Sequence, residues 1–147
     1  AGYRRRIADY GRAYARRPGV FLRDGVIALR RHVAAGDRVY VVTGCEHSLA
    51  EAILDEVKLD GIELVASRVR GSWCGLRVLS HNYGKAKVAR LATLGSVAPW
   101  ACVYSDSLAD LPMLRGGEEA VLVNASEKVA KKASRALKER MRVVHWF

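Results

Sequence analysis

Two carboxylates four residues apart, Asp106 and Asp110, sit in the stretch Tyr104-Ser105-Asp106-Ser107-Leu108-Ala109-Asp110-Leu111-Pro112-Met113-Leu114. Hard oxygen ligands of this kind suit Mg²⁺, which takes one or two protein carboxylates and leaves its other positions to water and phosphate. Thr43-Gly44 offers a second kind of chemistry. Its hydroxyl can donate to an oxyanion, and glycine lets backbone N–H groups approach one closely. Lys85 and Lys87 add amines. A hydroxyl, an amine and a metal-binding carboxylate pair are what phosphoryl transfer needs. Its transition state spreads charge over three equatorial oxygens, and catalysis there is mainly positioning and electrostatic stabilisation. Each feature also has a plainer reading. An isolated D-x-x-x-D is more often a helix cap followed by a solvated Asp, and Thr-Gly is ordinary turn chemistry. The apolar stretch before Asp106 and the Leu-Pro-Met-Leu after Asp110 tip the balance toward a site.

The elements around these residues place them. Ala101 to Tyr104 reads as a short buried strand. A helix starting near Ser107 puts Asp106 at the strand end and Asp110 about one turn further on, both above the carboxyl edge of a sheet, where ligands of open α/β sheets bind. Arg38 to Gly44 is β-branched and reads as a buried parallel strand, followed by a helix from His47 to Val57. Residues 61–67 give another short strand, and 69–79 a hairpin with Trp73 at its tip as a packing residue. Helices are expected over 2–17, 22–35, 85–94 and 127–139, a strand over 120–124, and a strand or tail over 143–147. Alternating strands and helices argue for a parallel sheet covered by helices.

Composition narrows the class. A chain of 147 residues is one domain by the usual prior. No apolar run approaches the ~18 residues of a membrane-spanning helix. Cys45, Cys74 and Cys102 are odd in number and lack C-x-x-C spacing, which fits reduced thiols in a cytoplasmic protein. The residues six after them are Glu51, Ser80 and Leu108, so no Cys-x5-Arg phosphatase motif exists. Neither a P-loop nor a G-x-G-x-x-G fingerprint occurs. The net charge of +10 favours anionic partners, either phosphates or an acidic membrane surface. No nucleic-acid motif accompanies it, so nucleic acid is not the expected partner.

With these residues in view, the chain resembles the haloacid dehalogenase (HAD) superfamily of phosphohydrolases over residues 19–147. Val41-Val42-Thr43-Gly44 is similar to its second motif, Tyr83-Gly84-Lys85-Ala86-Lys87-Val88 to its third, and the stretch from Tyr104 to Leu114 to its fourth. Val121-Leu122-Val123-Asn124-Ala125 also fits. The likeness is nearest to the phosphoserine-phosphatase-like branch and, within it, to bacterial phosphatidylglycerophosphatase C-like hydrolases. It implies an α/β, three-layer Rossmann-like domain over 1–147, in which 1–18 is the end of a cap or linker helix and 19–147 the core. It implies phosphate binding by the Thr43 hydroxyl and the Gly44 N–H, and a catalytic lysine at Lys87 in preference to Lys85. It implies Mg²⁺ at Asp106 and Asp110, with Asp106 as ligand and Asp110 in support. The substrate implied is a phosphorylated small molecule or a phospholipid, handled in the cytoplasm or at the membrane periphery.

The family's first motif, an Asp-x-Asp whose first Asp is the nucleophile, occurs nowhere in this sequence. The chain therefore reads as the C-terminal part of such an enzyme, lacking the central nucleophile strand and most of the cap, and inactive by itself. The strands at 39–43 and 101–104 would then each present an unpaired edge, with marginal stability or self-association as the consequence. The alternative is a degenerate, non-catalytic relative that acts as a basic binding module for acidic lipid or nucleic acid.

Overall fold

The computed structural model describes residues 2–72 and 75–147. The expected hairpin tip, with Trp73 and Cys74, lies outside the described residues. The chain divides into two compact units, one running up to Asn82 and including Phe147, the other spanning Tyr83–Trp146.

The first unit holds α1 (Gly2–Ala15), α2 (Arg23–Ala34), β1 (Val39–Glu46), α3 (His47–Glu56), β2 (Ile62–Ser72) and β3 (Gly75–Ser80). Gly11 lets α1 lie close against α3: a Cβ there would come within 3.0 Å of the Ala52 Cβ and 3.1 Å of the Leu49 carbonyl. The sheet order is β1-β2-β3. β1 and β2 run parallel, from Val39 opposite Ile62 to Val42 opposite Val65. β2 then continues without a break and pairs antiparallel with β3, Val69 opposite Val78 and Arg70 opposite Arg77. The sequence pattern divides this strand into a piece at 61–67 and a hairpin arm from 69. The structure corrects that to one strand of 11 residues that changes partner midway. Alternation along a strand records which face a residue takes, not which neighbour its backbone meets.

The second unit holds α4 (Lys85–Thr93), β4 (Trp100–Ser105), a 3-10 turn (Leu108–Asp110), α5 (Leu111–Arg115), β5 (Gly117–Val123), α6 (Glu127–Leu137), a second 3-10 turn (Lys138–Arg140) and β6 (Met141–Val144). Its sheet, in the order β4-β5-β6, is parallel throughout. β5 is the middle strand, and Ala120, Val121 and Leu122 on it are fully buried, as a strand covered on both faces requires. Leu114 of α5 and Leu137 of α6 complete the core. Ser126 caps α6 by accepting from the Val129 N–H. Gly117 is held to a small residue by packing, since a Cβ there would lie 2.7 Å from the Glu119 carbonyl and 3.0 Å from Val103. The C-terminal residues are strapped down by Asn124, whose amide donates to the Trp146 carbonyl (3.0 Å) and accepts from the Trp146 N–H (2.8 Å).

The architecture is α/β with parallel strands flanked by helices, as the sequence predicts. Among the described residues the ladders form two three-stranded sheets, with β1 paired to β2 alone and β4 to β5 alone. No helix among them is long and apolar enough to cross a membrane.

Two measurements check this packing. Leu122→Ala removes a fully buried side chain and should cost about 2–5 kcal/mol in denaturant melts. Tyr104 packs against Trp146 in a tilted pair with ring centroids 5.4 Å apart, and burial, with the Cys102 thiol beside it, pushes its phenol from 10.0 up to about 12. The unfolded chain therefore ionises this tyrosine first. The stability it contributes is complete below about pH 10 and drains as the pH rises toward about 12. Tyr104→Phe should flatten the alkaline loss of stability in that window.

Candidate functional site

β4 delivers its last residue, Ser105, to the sheet's carboxyl edge, and the chain then turns sharply. The Ser105 hydroxyl accepts from the Ser107 N–H (3.1 Å), and the Ser107 hydroxyl accepts from the Ala109 N–H (3.1 Å). These two side-chain bonds supply partners that a ladder or a helix would otherwise give. The resulting 3-10 turn swings Asp110 inward, where it is buried, while Asp106 at the strand end stays exposed. One Asp110 oxygen accepts from Lys87 Nζ at 2.6 Å and the other from the Ser105 hydroxyl at 2.8 Å. The Lys87 and Asp110 side chains are only 11% and 12% exposed. Taking two charges this far from water is costly unless each meets a close partner, and here each does.

Helix geometry separates the two lysines. Positions two apart on a helix point about 200° apart, so α4 buries Lys87 on Asp110 and leaves Lys85 exposed. The carboxylates also divide their tasks. Both Asp110 oxygens are engaged within the protein. Asp106 presents a hard oxygen donor to solvent, which fits a hydrated Mg²⁺ held by one protein carboxylate. No cluster of three or more His, Cys, Asp or Glu exists among the described residues, so a cation here would rest on Asp106 with water and phosphate completing its shell.

Thr43 and Gly44 belong to the other unit. Val42 is in register with Val65 and Glu46 with Ser67, so three residues of β1 face a single residue of β2 and the ladder is interrupted. Such bulges re-aim backbone groups and are frequent beside functional sites. The groups they release must be partnered. The Thr43 hydroxyl accepts from the Cys45 N–H at 3.0 Å, which still leaves its own hydrogen to donate. The Thr43 carbonyl accepts from the Asn82 amide nitrogen at 3.0 Å. The same nitrogen donates to the Val65 carbonyl at 2.8 Å, and the Asn82 N–H donates to the Ser67 hydroxyl at 2.9 Å. The N-terminus of α3 is already capped by the Glu46 carboxylate, which accepts from Leu49 N–H at 3.0 Å.

Ser67, Asn82 and Ser105 escape sequence reasoning. Asn82 finds its partners 39, 17 and 15 positions away, beyond any local pattern. Ser105 is inside the fourth motif, but only its contact with Asp110 gives it a role. Cys45 and Cys102 are free, half-buried thiols, and burial pushes both up from the ordinary thiol value. Neither sits as an activated nucleophile.

Lys87→Met leaves the Asp110 carboxylate buried without its cation and should cost about 3–5 kcal/mol. Lys85→Met should stay within about 0.5 kcal/mol of the parent. Urea melts of the two variants check the difference.

No curated protein matches the sequence. In fold the chain is similar to the crystal structure of a protein of unknown function from Bordetella pertussis Tohama I, with a TM-score of 0.73 and 24% identity over 95% of this chain and 66% of that one. It is also similar to a HAD family hydrolase from Salmonella enterica subsp. enterica serovar Typhi, with a TM-score of 0.59 and 19% identity over 88% of this chain and 43% of that one. The chain thus spans 66% and 43% of the lengths of these two structures. The model of the haloacid dehalogenase-like hydrolases matches residues 1–115, most of the sequence. The chain belongs to the haloacid dehalogenase-like hydrolase family.

Proposed function

We propose that this chain supplies the phosphate-binding and metal-binding residues of a Mg²⁺-dependent phosphomonoester hydrolase. The observation that carries the reading is the buried Lys87–Asp110–Ser105 network at the end of β4, beside the exposed Asp106. A buried ion pair is a poor device for stability alone. A fixed cation next to a hard oxygen ligand is a good device for holding a phosphoryl group while its charge redistributes.

Each residue then has a task. Asp106 holds the metal, which when bound supplies positive charge that offsets repulsion between a carboxylate nucleophile and an anionic phosphate. Asp110 fixes the ammonium of Lys87 in position. Lys87 neutralises charge developing on a phosphoryl oxygen. The Thr43 hydroxyl and the Gly44 N–H donate to phosphoryl oxygens. The nucleophile is the first Asp of an Asp-x-Asp strand supplied from outside these 147 residues, in the same polypeptide or as a second chain. Its carboxylate oxygen forms the bond to phosphorus as the bond to the leaving alkoxide breaks.

The substrate class is a phosphorylated small molecule or a phospholipid. The exposed Lys128, Lys131, Lys132 and Arg135 on α6 favour a substrate presented at an acidic membrane surface. Binding to anionic vesicles that falls steeply with added salt would support that presentation. Salt-insensitive or absent binding would restrict the substrate to soluble esters.

The pure 147-residue chain should hydrolyse no p-nitrophenyl phosphate, because loss of a covalent nucleophile costs on the order of 10⁶ in rate. Adding an Asp-x-Asp strand segment should produce Mg²⁺-dependent turnover. Asp106→Asn should then lower that turnover by ~10²–10³ and weaken its metal dependence, and Lys87→Ala should lower it far more than Lys85→Ala. Turnover by the pure chain, or tolerance of Asp106→Asn, would overturn the reading.

A further inference from the structure

The geometry points to Asn82 as the positioning residue of the Thr43-Gly44 turn, the side chain that fixes the direction of the Gly44 N–H. This inference rests on the proposed anion-binding role of that turn and deepens it. Its basis is a property of the peptide bond. The Thr43 carbonyl and the Gly44 N–H belong to one planar trans peptide, so they point in opposite directions. A hydrogen bond that anchors the carbonyl therefore sets where the N–H points. Asn82 Nδ2 supplies that anchor at 3.0 Å.

Three observations show that the anchor is specific. First, the amide can take only one orientation. Its nitrogen faces two carbonyls, those of Thr43 and Val65, and a flipped amide would turn an acceptor onto two acceptors. Second, Asn82 is 3% exposed, and its own Oδ1 is buried with no hydrogen-bond partner among the described residues. A residue selected only to fill space would not leave a buried acceptor unpaired, since that is destabilising. Third, the anchored peptide most needs an anchor. It lies where the β1 ladder is interrupted, and its second residue is an exposed glycine, the residue least able to resist a peptide rotation by itself. Asn82 is in turn held by its backbone N–H on Ser67. The clamp thus links β1, β2 and the residue that precedes the lysine-bearing segment.

Asn82 touches no reacting atom in this account; it acts through the 43–44 peptide. Phosphate affinity and melting temperature therefore separate its role from plain structure. The experiment is a titration of the full chain with inorganic phosphate at constant ionic strength, followed by the Gly44 amide resonance. In the wild type that resonance should shift and saturate. In Asn82→Ala the affinity read at Gly44 should fall about tenfold, roughly the value of one well-aimed hydrogen bond. Asn82→Gln, which keeps the two N–H donors, should recover part of the loss. An equal affinity in Asn82→Ala and wild type, even with a lowered melting temperature, overturns the positioning role and leaves the anion-binding reading intact. No Gly44 response in the wild type overturns both. Should Asn82→Ala fail to fold, the wild type alone decides. The through-hydrogen-bond coupling between Asn82 Nδ2 and the Thr43 carbonyl carbon must persist in the phosphate-saturated chain. Its disappearance would show that the peptide turns when the anion binds, and would refute the anchor.

Discussion

A lysine ammonium removed from water can persist only where a carboxylate meets it, and the structure of the second unit turns on that requirement. Lys87 and Asp110 meet at 2.6 Å with both side chains nearly covered. For Asp110 to be there, the chain must turn inward directly after β4, and Ser105 and Ser107 supply the hydrogen bonds that make it do so. For Lys87 to be there, α4 must present that position inward and Lys85 outward. Asp106, directly after β4, stays exposed in the same turn. The acidic pair is therefore two different groups: one completes an internal ion pair, and the other faces outward as a hard oxygen donor.

The first unit solves a related problem without charge. Interrupting the β1 ladder releases backbone groups, and the Thr43 hydroxyl and the Asn82 amide take them up. Among the described residues the Asn82 Oδ1 finds no partner, and a buried acceptor left so costs about 1–3 kcal/mol. Functional turns commonly retain local costs of this kind because the surrounding fold over-determines them.

Much of this was legible in the sequence because it is periodic or local. The β-branched run at 39–43, the apolar runs at 101–104 and 120–124, and the helical pattern of 127–139 each specify an element with little help from the rest of the chain, to within a residue or two at its end. The pairing of Thr43 with Gly44 and of Asp106 with Asp110 marked the candidate site. What the pattern could not carry was long-range partnering. Nothing near Asn82 signals its bonds to Thr43 and Val65. The length of β2 was hidden because a strand's change of partner midway is a long-range event that leaves no local mark in the sequence. The distinction between Lys85 and Lys87 came from a family resemblance, whereas helix geometry gives it a physical cause. Spacing alone left both carboxylates as metal ligands; the hydrogen bonds to Asp110 separate them.

The central claim is this division of labour between Asp106 and Asp110. Carboxyl-carbon NMR of the two side chains during a Mg²⁺ titration of the full chain, with inorganic phosphate present, tests it most directly. The account predicts that the Asp106 carboxyl resonance shifts and saturates while those of Asp110 and the Lys87 side chain stay in place. Movement of the Asp110 resonance with release of Lys87, or no response at Asp106, would contradict it.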